Sequence, residues 1–180
     1  MQIDAINVAG SDGLIGLSSC PGAGAVPGAG RRKALEADAG KIKAWDARAL
    51  VSALEYEELQ GLDIVDLGVF ASRTGLWWFR VPLREALAPD ERFWRAWPNV
   101  APSLLQLLRQ GQRIVIHDAG SFGRAGLVAC CLLQELGRES SEALRLVRAV
   151  QPAAVQGAAQ ELFLRQYLPR FPLNTRLKSS

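Results

Sequence analysis

Histidine is nearly absent from this chain: His117 is the only one among 180 residues. No CxxC or HxxxH spacing occurs either, so a zinc site is not expected. Cysteine is scarce too. Of the three, Cys130 and Cys131 are adjacent, which makes a poor disulfide framework and points to a reduced, cytoplasmic setting. No apolar run approaches the ~20 residues that a membrane span needs, so no membrane partner is expected. The opening "MQIDAINVAG" carries acid rather than base and lacks a long apolar stretch, so it does not read as a secretory signal. Lysine and arginine exceed aspartate and glutamate by 21 to 18, a net charge of +3. The bases are scattered rather than run together. Anionic ligands suit that balance, and a nucleic-acid partner is not expected.

What is present is core material. The chain is 49% hydrophobic, enough for one domain of ordinary size. Short apolar runs alternate with helical patterns. "IGLSSCPG" (15–22) reads as a strand stopped by Pro-Gly, and "GAGAVPGAGRR" as a glycine-rich loop. "KALEADAGKIKAWDA" has helical spacing and "ALVSALE" reads as a buried strand. "YEELQGL" and "DIVDLGVFASRTG" read as short helices, and "LWWFRVP" as a strand. A long helix is expected in "PDERFWRAWPNVAPSLLQLLRQG", with Pro89 at its first position and Pro98 and Pro102 kinking or splitting it. "RIVIH" is a strand and "RAGLVACCLLQELG" an apolar helix closed by Gly137. "SSEALRLVRAV" starts with a serine cap, "AAVQGAAQELFLRQYL" is a last helix, and "NTRLKSS" is expected to be disordered. Strands alternating with helices give the α/β class: a single domain with a central, mostly parallel sheet flanked by helices. Residues 1–12 read as an N-terminal segment, 13–169 as the domain and 170–180 as a flexible tail.

The stretch that carries chemistry is "RIVIHDAGSFGRAG", residues 113–126. A strand ends at His117, a glycine loop follows, and a helix begins near Arg124. Such a loop can turn several N–H groups inward, and the helix adds the positive end of its dipole. A guanidinium supplies a two-pronged donor suited to phosphate oxygens. Glycines at 120, 123 and 126 do not match the dinucleotide fingerprint GxGxxG, and no lysine is present for a Walker loop. The bland alternative is a plain strand-to-helix turn with a surface arginine. Elsewhere, Trp77, Trp78, Phe93, Trp94 and Trp97 read as packing residues, one or two of which could wall an aromatic ligand. Glu55, Glu57 and Glu58 read as a solvated helix start.

"HDAGSFGRAG" resembles the His-Cys-(any five)-Arg loop of cysteine-dependent protein phosphatases, with Asp118 standing where that family has its nucleophilic cysteine. "GLIGLSSCPG", "ALVSALEYEEL", "FRVPLREALAPDERFWRAW" and "VRAVQPAAVQGAAQELFL" are similar, in the same order, to segments of kinase-associated dual-specificity phosphatases and their bacterial relatives. The resemblance runs from about 13 to 168 and implies a protein-tyrosine/dual-specificity phosphatase-like fold.

By that resemblance Arg124 binds phosphate and the backbone of Ala119, Gly120, Ser121, Phe122 and Gly123 forms the cradle. His117 orients the loop, Glu85 of "PLRE" holds the general-acid position, and Gln160 corresponds to a polar residue positioning water or substrate. The implied partner is a phosphorylated protein or small phosphomonoester, with a phosphate- or sulfate-type oxyanion in the loop. The resemblance implies no cofactor and no metal, and a monomer. Ala125 stands where many relatives have a hydroxyl. A carboxylate is a much poorer nucleophile than a thiolate, and Asp118 is expected to accept hydrogen bonds from the loop's own N–H groups. Three readings follow: an enzyme disarmed by replacement of its cysteine, a natural pseudophosphatase that binds without cleaving, or a hydrolase that attacks through Asp118.

Overall fold

The computed structural model describes residues 1–155 and 157–171. Its centre is a five-stranded sheet in the order β1-β2-β5-β3-β4. The strands are β1 (Ile3–Asn7), β2 (Leu14–Ser18), β3 (Ala47–Ser52), β4 (Trp77–Arg80) and β5 (Arg113–His117). All neighbours run parallel except β1, which pairs antiparallel with β2. The sheet is thus mixed, and it reaches into residues 1–12, which the sequence pattern sets apart as a segment.

Side chains of the central strands alternate between two cores, as the period of a strand requires. Ala49, Val51, Ile114 and Ile116 face a core shared with α4 (Glu91–Arg109), α5 (Gly123–Glu135), α6 (Ser140–Val150) and α7 (Ala158–Gln166). Leu50 and Val115 face the other core, with α1 (Ala29–Ala44), α2 (Tyr56–Gly61) and α3 (Leu67–Arg73). Burial on both faces explains why β3 and β5 read as nearly unbroken apolar runs.

Several boundaries differ from expectation. Helix α1 begins at Ala29, so the end of the glycine-rich stretch is helical. Helix α4 starts at Glu91, with Asp90 accepting from the Arg92 N–H at 2.9 Å. Pro89 therefore precedes the cap rather than opening the helix. Pro98 and Pro102 leave α4 a single helix. Both lie on its exposed side, one turn apart, so the two rings and the missing N–H groups fall away from the packed face, and the buried side is uninterrupted. Ser140 is the first residue of α6, not its cap, which is Glu139. Helix α7 begins at Ala158, later than the apolar pattern suggested. The tail "NTRLKSS" lies outside the described residues.

The parallel strands place their carboxyl ends together. His117 pairs with Ser18 on one side and Ser52 on the other. The loops after β2, β3, β4 and β5 therefore emerge at one edge of the sheet, where α/β folds form their ligand crevices.

Candidate oxyanion site

At that edge the chain after β5 closes into a ring of amides. Phe122 holds a left-handed backbone, φ 58°, and caps α5. Gly120 has φ 132°. A left-handed residue next to helical geometry turns successive N–H groups to one side. Here they converge on the Asp118 carboxylate. Its Oδ1 accepts from the N–H groups of Gly120 (2.8 Å) and Phe122 (3.1 Å). Its Oδ2 accepts from those of Arg124 (3.1 Å) and Ala125 (3.2 Å). Asp118 is completely buried. The carboxylate occupies the focus of the loop as an internal anion, held also by the N-terminal end of α5.

Arg124 is 1% exposed. Its Nη1 donates to both oxygens of Glu58, at 2.8 and 2.7 Å, and to the Leu83 carbonyl at 3.2 Å. Its Nε and Nη2 have no hydrogen-bond partner among the described residues. Buried donors of this kind are costly unless an acceptor meets them. Glu58 also closes the first turn of α2, where its Oε2 accepts from the Glu55 N–H at 2.9 Å. Far from being part of a solvated helix start, Glu58 clamps α2 to the loop arginine. Glu55 in turn pairs with Arg92 at the start of α4.

His117 is fully buried. Its Nδ1 lies 3.3 Å from the Asp118 carbonyl and its Nε2 2.7 Å from Ser52 Oγ. Burial pushes the imidazole pKa down to about 4, with the Asp118 carbonyl and carboxylate opposing and the Arg124 charge assisting. Trp78 extends the contact, its Nε1 donating to Ser52 Oγ at 2.9 Å. Cys20, in the loop after β2, is also buried, and burial raises its thiol to about 12.

The loop after β4 is tied down at two points. Leu83 meets Arg124 through its carbonyl. Ala86, φ 55°, lies so close to Gly157 that a Cβ there would come within 2.7 Å of the Ala86 carbonyl oxygen. Between them, Glu85 is exposed and makes no hydrogen bond or ion pair among the described residues. Gln160, in the first turn of α7, is 1% exposed and its Oε1 lacks a partner among the described residues. Among the described residues no group of three histidine, cysteine or acidic side chains is placed to hold a metal ion. Trp97 is fully buried, stacked on Phe93 at 5.1 Å, and its Nε1 donates to Tyr167 Oη at 2.7 Å. It packs α4 on the chain following α7 rather than walling a ligand.

Ser52, Trp78 and Glu58 have contacts at the site that the sequence pattern does not assign: it leaves Ser52 unmarked, reads Trp78 as packing or the wall of an aromatic ligand, and places Glu58 in a solvated helix start. Only Glu58 left a trace, in its spacing from Glu55, which is that of a helix start closed by its own third residue.

By sequence, no known protein family and no curated protein matches the chain. By structure the likeness is broad. Kinase-associated phosphatase, solved with serine in place of its catalytic-site cysteine, superposes with a TM-score of 0.77 at 20% identity, covering 92% of this chain and 93% of that one. PTPMT1 in complex with PI(5)P gives 0.60 at 13% identity, covering 90% and 92%. The core catalytic domain of the PP-IP phosphatase SIW14 from S. cerevisiae, in complex with citrate, gives 0.54 at 16% identity, covering 91% and 85%. The chain has the fold of the protein-tyrosine and dual-specificity phosphatases: one α/β domain with a mixed sheet flanked by helices.

Proposed function

We propose that this chain is an oxyanion-binding domain of phosphomonoester phosphatase lineage, in which Asp118 occupies the nucleophile position and turnover is lost or strongly impaired. The observation that carries the reading is the convergence of four backbone N–H groups on one anion beside a buried guanidinium with free donors. A loop of that shape stabilises negative charge at a single point. Kinase-associated phosphatase, PTPMT1 and SIW14 share the fold, and the last two were solved with an anionic ligand bound. A phosphorylated protein or small phosphomonoester is the corresponding partner here.

In this reading His117 orients the loop, Arg124 meets the phosphate, and Glu85 holds the general-acid position on the loop after β4. Gln160 takes the place of the polar residue that positions water or substrate. Asp118 is a poor candidate nucleophile because each of its oxygens already accepts two N–H groups. Its charge also repels a phosphate dianion, by about 4 kcal/mol at ~4 Å and an effective dielectric of ~20.

The test is restoration. Asp118→Cys assayed on an aryl phosphate is expected to exceed the parent by on the order of 10³ or more. No gain in rate would sink the lineage reading. A second reading, a pseudophosphatase that recognises phosphorylated or acidic partners, is favoured by the free Arg124 donors. It requires phosphate or phosphopeptide affinity that Arg124→Ala abolishes, and calorimetry showing no such affinity would reject it.

A further inference from the structure

Behind the oxyanion loop, two buried polar side chains and a half-buried indole form a chain with only one consistent direction. We propose that Ser52 and Trp78 are positioning residues: they hold His117 as its Nδ1–H tautomer, so that the ring donates to the Asp118 carbonyl and fixes the first peptide of the loop. This rests on the oxyanion reading for its functional consequence, though not for its chemistry.

The direction follows from what each group can do. An indole Nε1–H can only donate, so at 2.9 Å it uses a lone pair of Ser52 Oγ. A second lone pair remains on that oxygen, so its 2.7 Å contact with His117 Nε2 takes its direction from the other ring nitrogen. At the other side of the ring Nδ1 faces a carbonyl oxygen, which can only accept, so Nδ1 carries the proton. A neutral imidazole, as burial favours, has one donor and one acceptor nitrogen, and both are used. Ser52 and His117 are completely buried, so water does not compete.

The backbone frame is fixed as well. The Val81 N–H donates to the Ser52 carbonyl at 2.9 Å and the Ala53 N–H to the His117 carbonyl at 2.8 Å. The indole is seated by Gly68 of α3, where a Cβ would come within 2.4 Å of the Trp78 ring. Gly68 therefore lets α3, on the far side of Trp78 from the loop, govern the donor at the head of the chain. Gly68→Ala disturbs the relay without touching Ser52, His117 or any loop residue.

The experiment uses the full chain labelled with ¹⁵N. With a single histidine, its imidazole signals are unambiguous. The parent is expected to show a protonated Nδ1 and a bare, hydrogen-bonded Nε2 at neutral pH. Ser52→Ala and Gly68→Ala are expected to shift the Nε2 signal to that of an unbonded nitrogen or to populate Nε2–H. In an Asp118→Ala background the same two substitutions should weaken inorganic phosphate binding by about fivefold, one hydrogen bond's worth. Leu108→Ala, a core truncation beside Gly13 at the opposite ends of the strands, should leave that affinity unchanged. A parent spectrum showing Nε2–H, or phosphate affinity indifferent to Ser52→Ala and Gly68→Ala, overturns the proposal. Absence of phosphate binding by both parent and Asp118→Ala overturns the oxyanion reading instead, and the spectrum still decides the tautomer.

Discussion

Arg124 and Glu58 form a two-pronged ion pair, with Nη1 2.8 and 2.7 Å from the two carboxylate oxygens. The guanidinium is 1% exposed and the carboxylate side chain 30%. A buried charge that loses its partner is expensive, roughly 3 kcal/mol or more. Glu58→Ala is therefore expected to lower stability by about that much, measured by urea unfolding, and to loosen α2 through loss of its contact with the Glu55 N–H. Glu58→Gln keeps an acceptor for both donors and should cost about half as much or less. Equal stability of all three chains would show that the pair holds nothing.

On the proposed reading, an incoming phosphate competes with Asp118 for the N–H groups that its carboxylate now holds. Asp118→Ala removes the internal anion and its repulsion, so inorganic phosphate affinity is expected to rise by about tenfold or more in calorimetry. Phosphate-free, the variant should melt below the parent, because the amides of Gly120, Phe122, Arg124 and Ala125 lose their acceptor. Added phosphate should then raise its Tm more than that of the parent. A variant that binds no more tightly than the parent would mean that the carboxylate is not in the way.

The pH dependence has a definite sign. In the folded chain His117 takes up a proton only near pH 4, whereas an ordinary histidine does so near 6.5. Between those values the unfolded chain binds the extra proton. The contribution of His117 to stability is thus complete above pH 6.5 and lost as pH falls toward 4, at up to ~1.4 kcal/mol per unit and roughly 3 kcal/mol in all. Because carboxylates titrate lower, the slope between pH 6.5 and 5 belongs to this ring. Unfolding curves at pH 7.5, 6 and 5 check it, and a flat profile across them would contradict the buried neutral imidazole.

Gly126 lies one turn into α5, against the segment joining α6 and α7. A Cβ at that position would come within 2.6 Å of Ala154 Cβ and 3.3 Å of a Val147 methyl. Helix propensity favours Gly126→Ala, but the contact does not. The substitution is expected to destabilise by about 1–3 kcal/mol, seen as a lowered Tm, since the steric term exceeds the ~1 kcal/mol gained in the helix. A raised Tm would show that the neighbouring segment gives way freely.

The sequence by itself determined the elements whose physics is local or periodic. β5 and α5 could be read because an apolar run, a glycine loop and an apolar helix follow one another without a gap, and both faces of the strand are buried. The anion-binding shape of residues 118–124 was legible for the same reason: consecutive amides and a glycine make it within one short stretch. The acceptance of those amides by Asp118 itself could be anticipated from its place at the loop's mouth.

Tertiary structure decided the rest. Strand β1 has a short, half-polar pattern and exists because β2 offers it an edge. Pro98 and Pro102 do not break α4 because packing holds its buried side while both rings fall on the other, a balance invisible to local propensity. The partners of Arg124 and His117 lie far along the chain: Glu58 is 66 positions from Arg124 and Ser52 is 65 from His117. Those contacts arise because parallel strands bring their carboxyl ends together. No spacing rule encodes them, since the distance between such partners depends on the length of the helices in between rather than on the chemistry at either end.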